Sequence, residues 1–263
     1  MPGSGLVREK QLFLVGAAGV VPVLAACTLL RSWYRILSLL FAACVAIAGY
    51  RWTVYLVPKL EGRLQKAGLF GKDINKKGTE AGERPVPESL GLAPGVVSLG
   101  CLAFMQLLQR TKVVPRVCSL FGLTDCELPD QDTWLDDFPA ALASIAFMLM
   151  LGFVDDVLDL PWRVKLVSPT IGALPLLAAY SGATAVGIPM PIVNYFNLQD
   201  TYVELGPLYY MYMAALVIFC TNAINILAGV NGLEVGQSYV IGVAILTFNI
   251  MRMAGFPGAF RLW

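Results

Sequence analysis

The stretch FPAALASIAFMLMLGFVDDVLDLPWRVK, residues 138–165, decides the fold of this chain. Residues 138–154 are almost entirely apolar, close to the length of about 20 residues that a membrane-spanning helix needs. Lipid cannot satisfy loose backbone groups, so such a run should be helical. Carboxylates follow at once, at Asp155, Asp156 and Asp159. The stretch therefore predicts a membrane span that ends in an acidic cluster.

Apolar runs of similar length recur along the rest of the chain. They lie at roughly 11–31, 34–58, 91–108, 165–181, 206–227 and 236–254. The chain is 57% hydrophobic and only 14% charged, whereas soluble domains contain about 25% charged residues. We therefore predict an all-α fold, a polytopic transmembrane helical bundle of about seven spans. Residues 1–33 form an N-terminal extension with an extra apolar segment, and residues 34–263 form the main domain.

Composition also excludes several kinds of chemistry. The formal net charge is +1 and the chain contains no histidine. The charge balance gives no reason to expect nucleic acid as a partner. The lack of histidine excludes Ser-His-Asp, Cys-His and HExxH sites within this chain. Acid-base or metal chemistry must then depend on carboxylates, amides and lysine.

The orientation of the bundle follows from one basic connection. Residues 59–85 contain seven lysines and arginines, and positively charged connections remain cytoplasmic. Alternation of spans then puts 155–165 and 225–234 on the cytoplasmic face, and 109–137 and 182–205 on the opposite face. All the motif-like polar clusters are therefore expected on the cytoplasmic side.

The acidic cluster is the first candidate for function. On a helix, Asp159 lies beside both Asp155 and Asp156, so three like charges need a compensating cation or proton. Arg163 and Lys165 follow closely, and carboxylates beside cations suit Mg²⁺ and phosphate chemistry. The alternatives are a solvated helix end for the aspartates and a juxtamembrane anchor for the lysine.

A second cluster, NAINILAGVNGLEVGQS at 222–238, places amides in an apolar neighbourhood. Unpartnered amides are costly there. Asn222 and Asn225 share a helical face, and glycines flank Asn231 so that backbone could approach a ligand closely. The alternative is hydrogen bonding of these amides between helices.

A third cluster joins GKDINKKG at 71–78 to RPVPESLG at 84–91. Two prolines stiffen the backbone immediately before Glu88 and the next span. By itself this stretch could equally be a basic connection that contacts anionic lipid.

Together, GFVDDVLDLPWRVK, NAINILAGVNGLEVGQS and GKDINK with VPES resemble the eukaryotic UDP-N-acetylglucosamine:dolichyl-phosphate N-acetylglucosamine-1-phosphotransferases, a branch of glycosyltransferase family 4. The resemblance extends from about Tyr34 to about Ile250. It implies transfer of N-acetylglucosamine-1-phosphate from UDP-N-acetylglucosamine to dolichyl phosphate with release of UMP, the first step of N-glycan precursor synthesis. It also implies Mg²⁺ as cofactor, a multi-pass location in the endoplasmic reticulum membrane with the active site facing the cytoplasm, and allows a homodimer.

The resemblance also suggests roles for particular residues. Asp155 and Asp156 match the acidic pair of the family and Lys165 its phosphate-contacting lysine. Asn225 matches a metal ligand, and the segment 218–226, which includes Asn222, lines the lipid-phosphate path. The residues that match contacts to the nucleotide sugar are Asp73, Ile74, Glu88 and Asn231. We expect orientation and electrostatics from the aspartates, because a lipid phosphate is already an anionic nucleophile.

The sequence also departs from the family pattern. Residues 77–84 resemble an insertion, and the family continues for several spans beyond the position of Trp263, with a metal-binding aspartate and a histidine-arginine element. We therefore expect this chain to be an N-terminal portion, an alternative product or an incomplete gene model of such an enzyme, and to be inactive alone. The alternative function is a non-catalytic membrane component, either a modulator or a transporter-like bundle.

The six cysteines divide into two groups. Cys27, Cys44, Cys101 and Cys220 lie in apolar runs and are expected to be packing residues. Cys118 and Cys126 lie in the connection that alternation of spans places in the lumen, where a disulfide is chemically available. Two free thiols near the membrane surface are the alternative.

Overall fold

A computed structural model describes residues 33–72, 76–80, 82–83, 85–123, 132–158, 160–197, 199–226, 230 and 232–253. Within these residues the chain forms α1 (Trp33–Lys66), α2 (Leu92–Arg110), α3 (Val113–Leu120), α4 (Asp132–Leu158), α5 (Trp162–Ala179), α6 (Met190–Phe196), α7 (Leu208–Ile226) and α8 (Leu233–Met253). Two antiparallel strand pairs lie in the connections. They are β1 (Phe70–Gly71) with β2 (Val86–Pro87), and β3 (Ala185–Gly187) with β4 (Tyr202–Glu204).

The predicted spans coincide with long helices. Six of the seven apolar runs fall on α1, α2, α4, α5, α7 and α8, and the run at 11–31 lies outside the described residues. By length and composition, three of the described helices could cross a membrane: Trp33–Lys66, Leu92–Arg110 and Asp137–Leu158. The mainly helical fold is confirmed for the described residues, whereas the count of seven spans stays a prediction.

Helix α1 continues beyond its predicted span. Residues 59–66, which the sequence analysis assigned to a connection, form its last two turns, and Leu64 within them is buried. Arg63 and Lys66 favour the negative end of the helix dipole, which stabilises this extension. Gly68, with a φ of 79°, then ends the helix in the left-handed conformation that glycine adopts without steric cost.

The connections contain more regular structure than the sequence predicted. The segment 109–137, expected to be a solvated connector, contains α3 and the start of α4, and 182–205 contains α6 between the strands of the second pair. The all-α prediction therefore describes the bundle but misses both strand pairs. Strands of two or three residues are too short for an alternating pattern to be readable, although their pairing satisfies backbone groups.

The described residues group into two compact units, and the second contains 49–72, 76–106 with its gaps, and most of 132–237. In it α4 packs on α5, and α5 packs on α7. The Leu176 N–H donates to the buried Ser144 hydroxyl at 3.1 Å, and Met148 lies against Gly172. Small residues of this kind allow helices in a membrane to approach closely.

The first unit contains residues 33–48, 107–123 and 238–253. Its core consists of Tyr34, Val114 and Cys118, and partly buried apolar side chains of α1 pack against them. Cys118 is only 1% exposed and is disulfide-bonded. Its partner lies outside the described residues, so the pairing with Cys126 stays a prediction. Cys44, Cys101 and Cys220 form no disulfide bond.

Candidate active site

One cleft in the second unit collects residues from all three polar clusters. It has a volume of about 850 Å³ and lies between the β1–β2 pair, the start of α2, the end of α4, the start of α5, the end of α7 and the start of α8. Its described charged lining residues are Lys72, Glu88, Asp155, Asp156, Lys165 and Glu234. Segments that the sequence predicted on one membrane face therefore meet around one cavity.

Asp155 and Lys165 form an ion pair on the wall of this cleft. Asp155 is in the last turn of α4 and Lys165 in the first turn of α5, and Asp155 Oδ1 lies 2.9 Å from Lys165 Nζ. Pro161 precedes α5, and its carbonyl accepts hydrogen bonds from the N–H groups of Val164 and Lys165. The chain thus turns sharply and returns the lysine to the aspartate.

This ion pair is partly buried, and the Oδ1 oxygen of its carboxylate is incompletely hydrogen-bonded. The side chain of Asp155 is 18% exposed and that of Lys165 29% exposed. Apart from the contact with the lysine, the buried Oδ1 accepts no well-aligned hydrogen bond from the described residues. Burial strengthens the attraction between the two charges. The oxygen also keeps a lone pair that a ligand or cation could use.

Asp156 has a different partner. The Ser89 hydroxyl donates to Asp156 Oδ2 at 2.6 Å. Consecutive residues on a helix point about 100° apart, which explains why the two aspartates reach different walls of the cleft. Asp159, the third member of the predicted acidic cluster, lies outside the described residues.

Glu88 approaches the cleft from the β1–β2 pair. Its N–H donates to the Leu69 carbonyl at 3.2 Å, which extends the pairing of the two strands by one residue. Its carboxylate lies over Gly71, where any larger side chain would collide with Oε1. Glycine at position 71 therefore leaves the space that the glutamate occupies.

The amides on α7 are only partly described. Asn222 lines the cleft, and its Nδ2 donates to the Ile218 carbonyl of the preceding turn at 2.9 Å. The observed hydrogen bond is thus within α7 and does not use the Oδ1 acceptor of Asn222. Asn225 is in the last turn of the same helix, but its side chain lies outside the described part of the structure. Its metal-binding role stays a prediction.

Other predicted site residues also lie outside the described residues, namely Asp73, Ile74 and Asn231. Their roles stay predictions. Conversely, the cleft contains Ser89, Lys72 and Glu234, which the sequence analysis did not select. All three lie within the quoted motifs, and this position was the feature of the sequence by which they could have been selected. Lys72 is paired with Glu83, and both side chains are exposed.

The charge balance of the cleft favours a cation. Its described lining contains four carboxylates and two lysines, a formal balance of −2. A phosphate-bearing ligand would be repelled by this surface unless a cation accompanied it. Carboxylate and amide oxygens are the ligands that Mg²⁺ prefers. No group of three or more acidic, cysteine or histidine side chains suited to a metal occurs among the described residues.

A smaller cavity of about 440 Å³ lies in the first unit, between α2 and α3. Its described lining contains the cations Arg110, Lys112 and Arg116 and no carboxylate. It lacks the paired opposite charges of the larger cleft. The larger cleft is therefore the better candidate for catalysis.

Comparisons with known proteins agree with the resemblance inferred from the motifs. Residues 138–260 match the family described as glycosyl transferase family 4. The chain is 35% identical over 258 residues to the UDP-N-acetylglucosamine--dolichyl-phosphate N-acetylglucosaminephosphotransferase of Dictyostelium discoideum, an alignment that covers 94% of this chain and 58% of the relative. The Saccharomyces cerevisiae protein of the same name is 37% identical over 237 residues, covering 85% and 51%. The chain spans about half the length of the curated relatives it matches.

Proposed function

We propose that this chain, with its glycosyl transferase family 4 region at residues 138–260, carries part of the active site of a sugar-phosphate transferase. The proposed reaction transfers N-acetylglucosamine-1-phosphate from UDP-N-acetylglucosamine to dolichyl phosphate and releases UMP. The single observation that carries the proposal is the Asp155–Lys165 pair on the wall of a cleft that also receives Glu88 and Asn222. The names of the relatives supply the substrates.

The ion pair suits the electrostatic demands of phosphoryl transfer. Such reactions depend mainly on positioning and on stabilising the charge that develops on the phosphoryl oxygens. Lys165 would face that charge, and Asp155 would hold the ammonium group in place at 2.9 Å. The lipid phosphate is already anionic and needs little deprotonation. We therefore assign Asp155 an orienting role and not that of a general base.

The substrates would approach different walls of the cleft. Glu88, on the β1–β2 side, is proposed to bind the nucleotide sugar together with Asp73, Ile74 and Asn231. Asn222 and its neighbours on α7 are proposed to line the path of the lipid phosphate. Support for this division comes from the positions of Glu88 and Asn222 on separate lining elements of one cavity.

Mg²⁺ is the proposed cofactor. The acidic charge balance of the cleft fits a divalent cation, and Asn225 is proposed to supply one oxygen ligand. The ion would neutralise phosphate charge when it is bound. The described residues would meanwhile orient the substrates and hold Lys165.

The proposed location is the endoplasmic reticulum membrane, with the cleft on the cytoplasmic side. Support comes from the three long apolar helices, from large apolar side chains exposed along them, and from the basic residues at the end of α1. The disulfide at Cys118 is compatible with a lumenal position for the connection after α2, since disulfides persist in oxidising compartments.

Thiol labelling tests the disulfide at Cys118 and its predicted partner. Microsomal protein is denatured and labelled with or without prior reduction, and the labelled peptides are identified by mass spectrometry. We expect Cys118 and Cys126 to become reactive only after reduction, while Cys44 and Cys101 react in both samples. Complete labelling of both connection cysteines without reduction would contradict the bridge.

Release of UMP tests the activity. The chain is purified into nanodiscs containing dolichyl phosphate, alone and as an extended chain, in which residues 1–263 are joined to the part of the Dictyostelium relative beyond the matched region. We expect the extended chain to release UMP only when UDP-N-acetylglucosamine, dolichyl phosphate and Mg²⁺ are all present. A correctly inserted extended chain that releases no UMP would favour the non-catalytic alternative.

A further inference from the structure

Ser89 has an uncommon backbone conformation at the edge of the cleft. Its φ is 58°, in the left-handed region that few residues other than glycine, asparagine and aspartate adopt. It lies between β2 and α2. A strained residue persists only when its surroundings fix it, and such residues concentrate at functional sites. The conformation therefore implies that neighbouring groups hold Ser89 in place.

The Ser89 hydroxyl does not cap the helix that follows it. A capping serine accepts a hydrogen bond from a backbone N–H of the first helical turn. Here the Ser89 carbonyl accepts from the Leu92 N–H at 3.1 Å, so the backbone forms the turn. The hydroxyl instead donates to Asp156 Oδ2 at 2.6 Å, a contact between residues 67 positions apart. It links the start of α2 to the end of α4.

The left-handed turn also separates two neighbouring side chains. Glu88 lies over Gly71 of β1, whereas Ser89 reaches Asp156 of α4. One short segment therefore holds two carboxylates of the cleft, the first through its own side chain and the second through a hydrogen bond. An extended residue at position 89 would direct its side chain elsewhere.

The two adjacent aspartates differ in the charge of their partners. Lys165 compensates the charge of Asp155, while Ser89 is neutral. A hydrogen bond from a neutral hydroxyl to a carboxylate is short and orients the acceptor without cancelling its charge. Asp156 is consequently held in one orientation and still presents a negative charge to the cleft.

We propose that Ser89 is a positioning residue, which fixes the Asp156 carboxylate in the cleft through its hydroxyl and its left-handed backbone. The inference deepens the proposed function and rests on it for what the cleft does. Ser89 acts through Asp156, for which the family resemblance leads us to expect an orienting and electrostatic role.

Three single variants and one double variant separate the hydroxyl from the backbone. Ser89→Gly removes the donor but accepts a φ of 58° without strain. Ser89→Asn replaces the hydroxyl by an amide donor in a residue that tolerates the left-handed region. Asp156→Asn removes the charged acceptor, and the Ser89→Gly/Asp156→Asn double variant completes a mutant cycle.

The kinetic test uses UMP release by the extended chain. We expect Ser89→Gly to lower kcat about tenfold, the size of one lost hydrogen bond to a charged group, with the KM for UDP-N-acetylglucosamine within about twofold. Ser89→Asn should recover most of the rate, and Ser89→Gly should have little further effect in Asp156→Asn. An unchanged kcat in Ser89→Gly, or the full tenfold loss in the Asp156→Asn background, would overturn the proposal.

A second test needs no turnover, so it separates this inference from the proposed function. The chain of 263 residues is labelled with ¹³C at aspartate carboxyl carbons, and the Asp156 resonance is assigned by its loss in Asp156→Asn. We expect that resonance to move in Ser89→Gly and to return towards its original position in Ser89→Asn. An unmoved resonance overturns the contact whether or not the protein transfers sugar phosphate. If the resonance moves but no UMP is released, the contact stands and the proposed function fails.

Discussion

The two ends of helix α5 are built from different chemistry. Its first turn carries Lys165, which faces a cleft with four described carboxylates. Beyond its last turn, Tyr180 stacks on Tyr209 with ring centroids 5.2 Å apart, and Tyr210 packs edge-on against the same ring. The two strand pairs lie in different surroundings: residues of β1–β2 line the cleft, and β3–β4 follows α5 in sequence.

A strand pair therefore does not by itself indicate a functional site, because only one of the two pairs lies beside the cleft. At the cleft end, the pair positions Glu88 and Ser89 beside charged groups from α4. At the tyrosine end, the residues of β4 are exposed, and the described contacts are stacking and neutral hydrogen bonds. We therefore expect matched substitutions to affect transfer at the first end and stability at the second.

The largest effect is expected at Lys165. Lys165→Ala should lower kcat about 10²- to 10³-fold, because it removes a cation facing the developing phosphate charge and leaves Asp155 unpaired. The matched control is Arg163→Ala, which removes an exposed cation two residues earlier on α5 and should change kcat less than twofold. UMP release by the extended chain measures both. Equal rates in the two variants would remove the distinction between the lysine and its neighbour.

A smaller effect is expected at Glu88, which follows β2, and none at Glu204, the last residue of β4. Glu88→Gln should raise the KM for UDP-N-acetylglucosamine about 10- to 100-fold, since a hydrogen bond from substrate to a charged acceptor is weakened. Glu204→Gln changes an exposed glutamate in β4 and should leave KM unchanged. Titration calorimetry with UDP-N-acetylglucosamine provides an independent readout. Similar losses in both variants would argue that Glu88 has no special role.

Two glycines give a finer test of the same contrast. Gly71→Ala would place a methyl group against the Glu88 carboxylate, whereas a methyl group at Gly187 would meet nothing within 4 Å. Because the end of a glutamate side chain can move, we expect Gly71→Ala to fold normally but to raise KM about three- to tenfold by displacing Glu88. Gly187→Ala should change neither KM nor the melting temperature. A normal KM in Gly71→Ala would show that the position of Glu88 is unimportant.

The sequence predicted the long helices, and it predicted which polar segments meet at the cleft. It did not predict the individual contacts between those segments. Apolar length located the long helices, and span parity brought Asp155 and Glu88 to one face. The contact between Ser89 and Asp156 was not predictable, because it depends on a left-handed φ and on packing between residues 67 positions apart. The sequence analysis missed the end of α1 because residues 59–66 are largely polar although they are helical. A search for long apolar runs detects only the apolar part of such a helix.

The smallest effect is expected at the tyrosine end. The Tyr180 hydroxyl donates to the Ala183 carbonyl at 2.8 Å and lies 3.1 Å from the Tyr209 hydroxyl. Tyr180→Phe keeps the stacked ring and removes only these polar contacts, so it should lower the free energy of unfolding by about 0.5 to 1.5 kcal/mol without changing kcat or KM.

Tyr202→Phe is the control for this last substitution. Tyr202 is 61% exposed in β4, and its hydroxyl makes no hydrogen bond among the described residues. The Tyr202→Phe variant should therefore have the melting temperature of the original chain in a thermal unfolding assay in detergent. Tyr180→Phe should melt at a slightly lower temperature. A change in UMP release by Tyr180→Phe, with the melting temperature unchanged, would reverse the assignment of stability to one end of α5 and catalysis to the other. The coupling would then extend along the helix, because α5 packs on both α4 and α7.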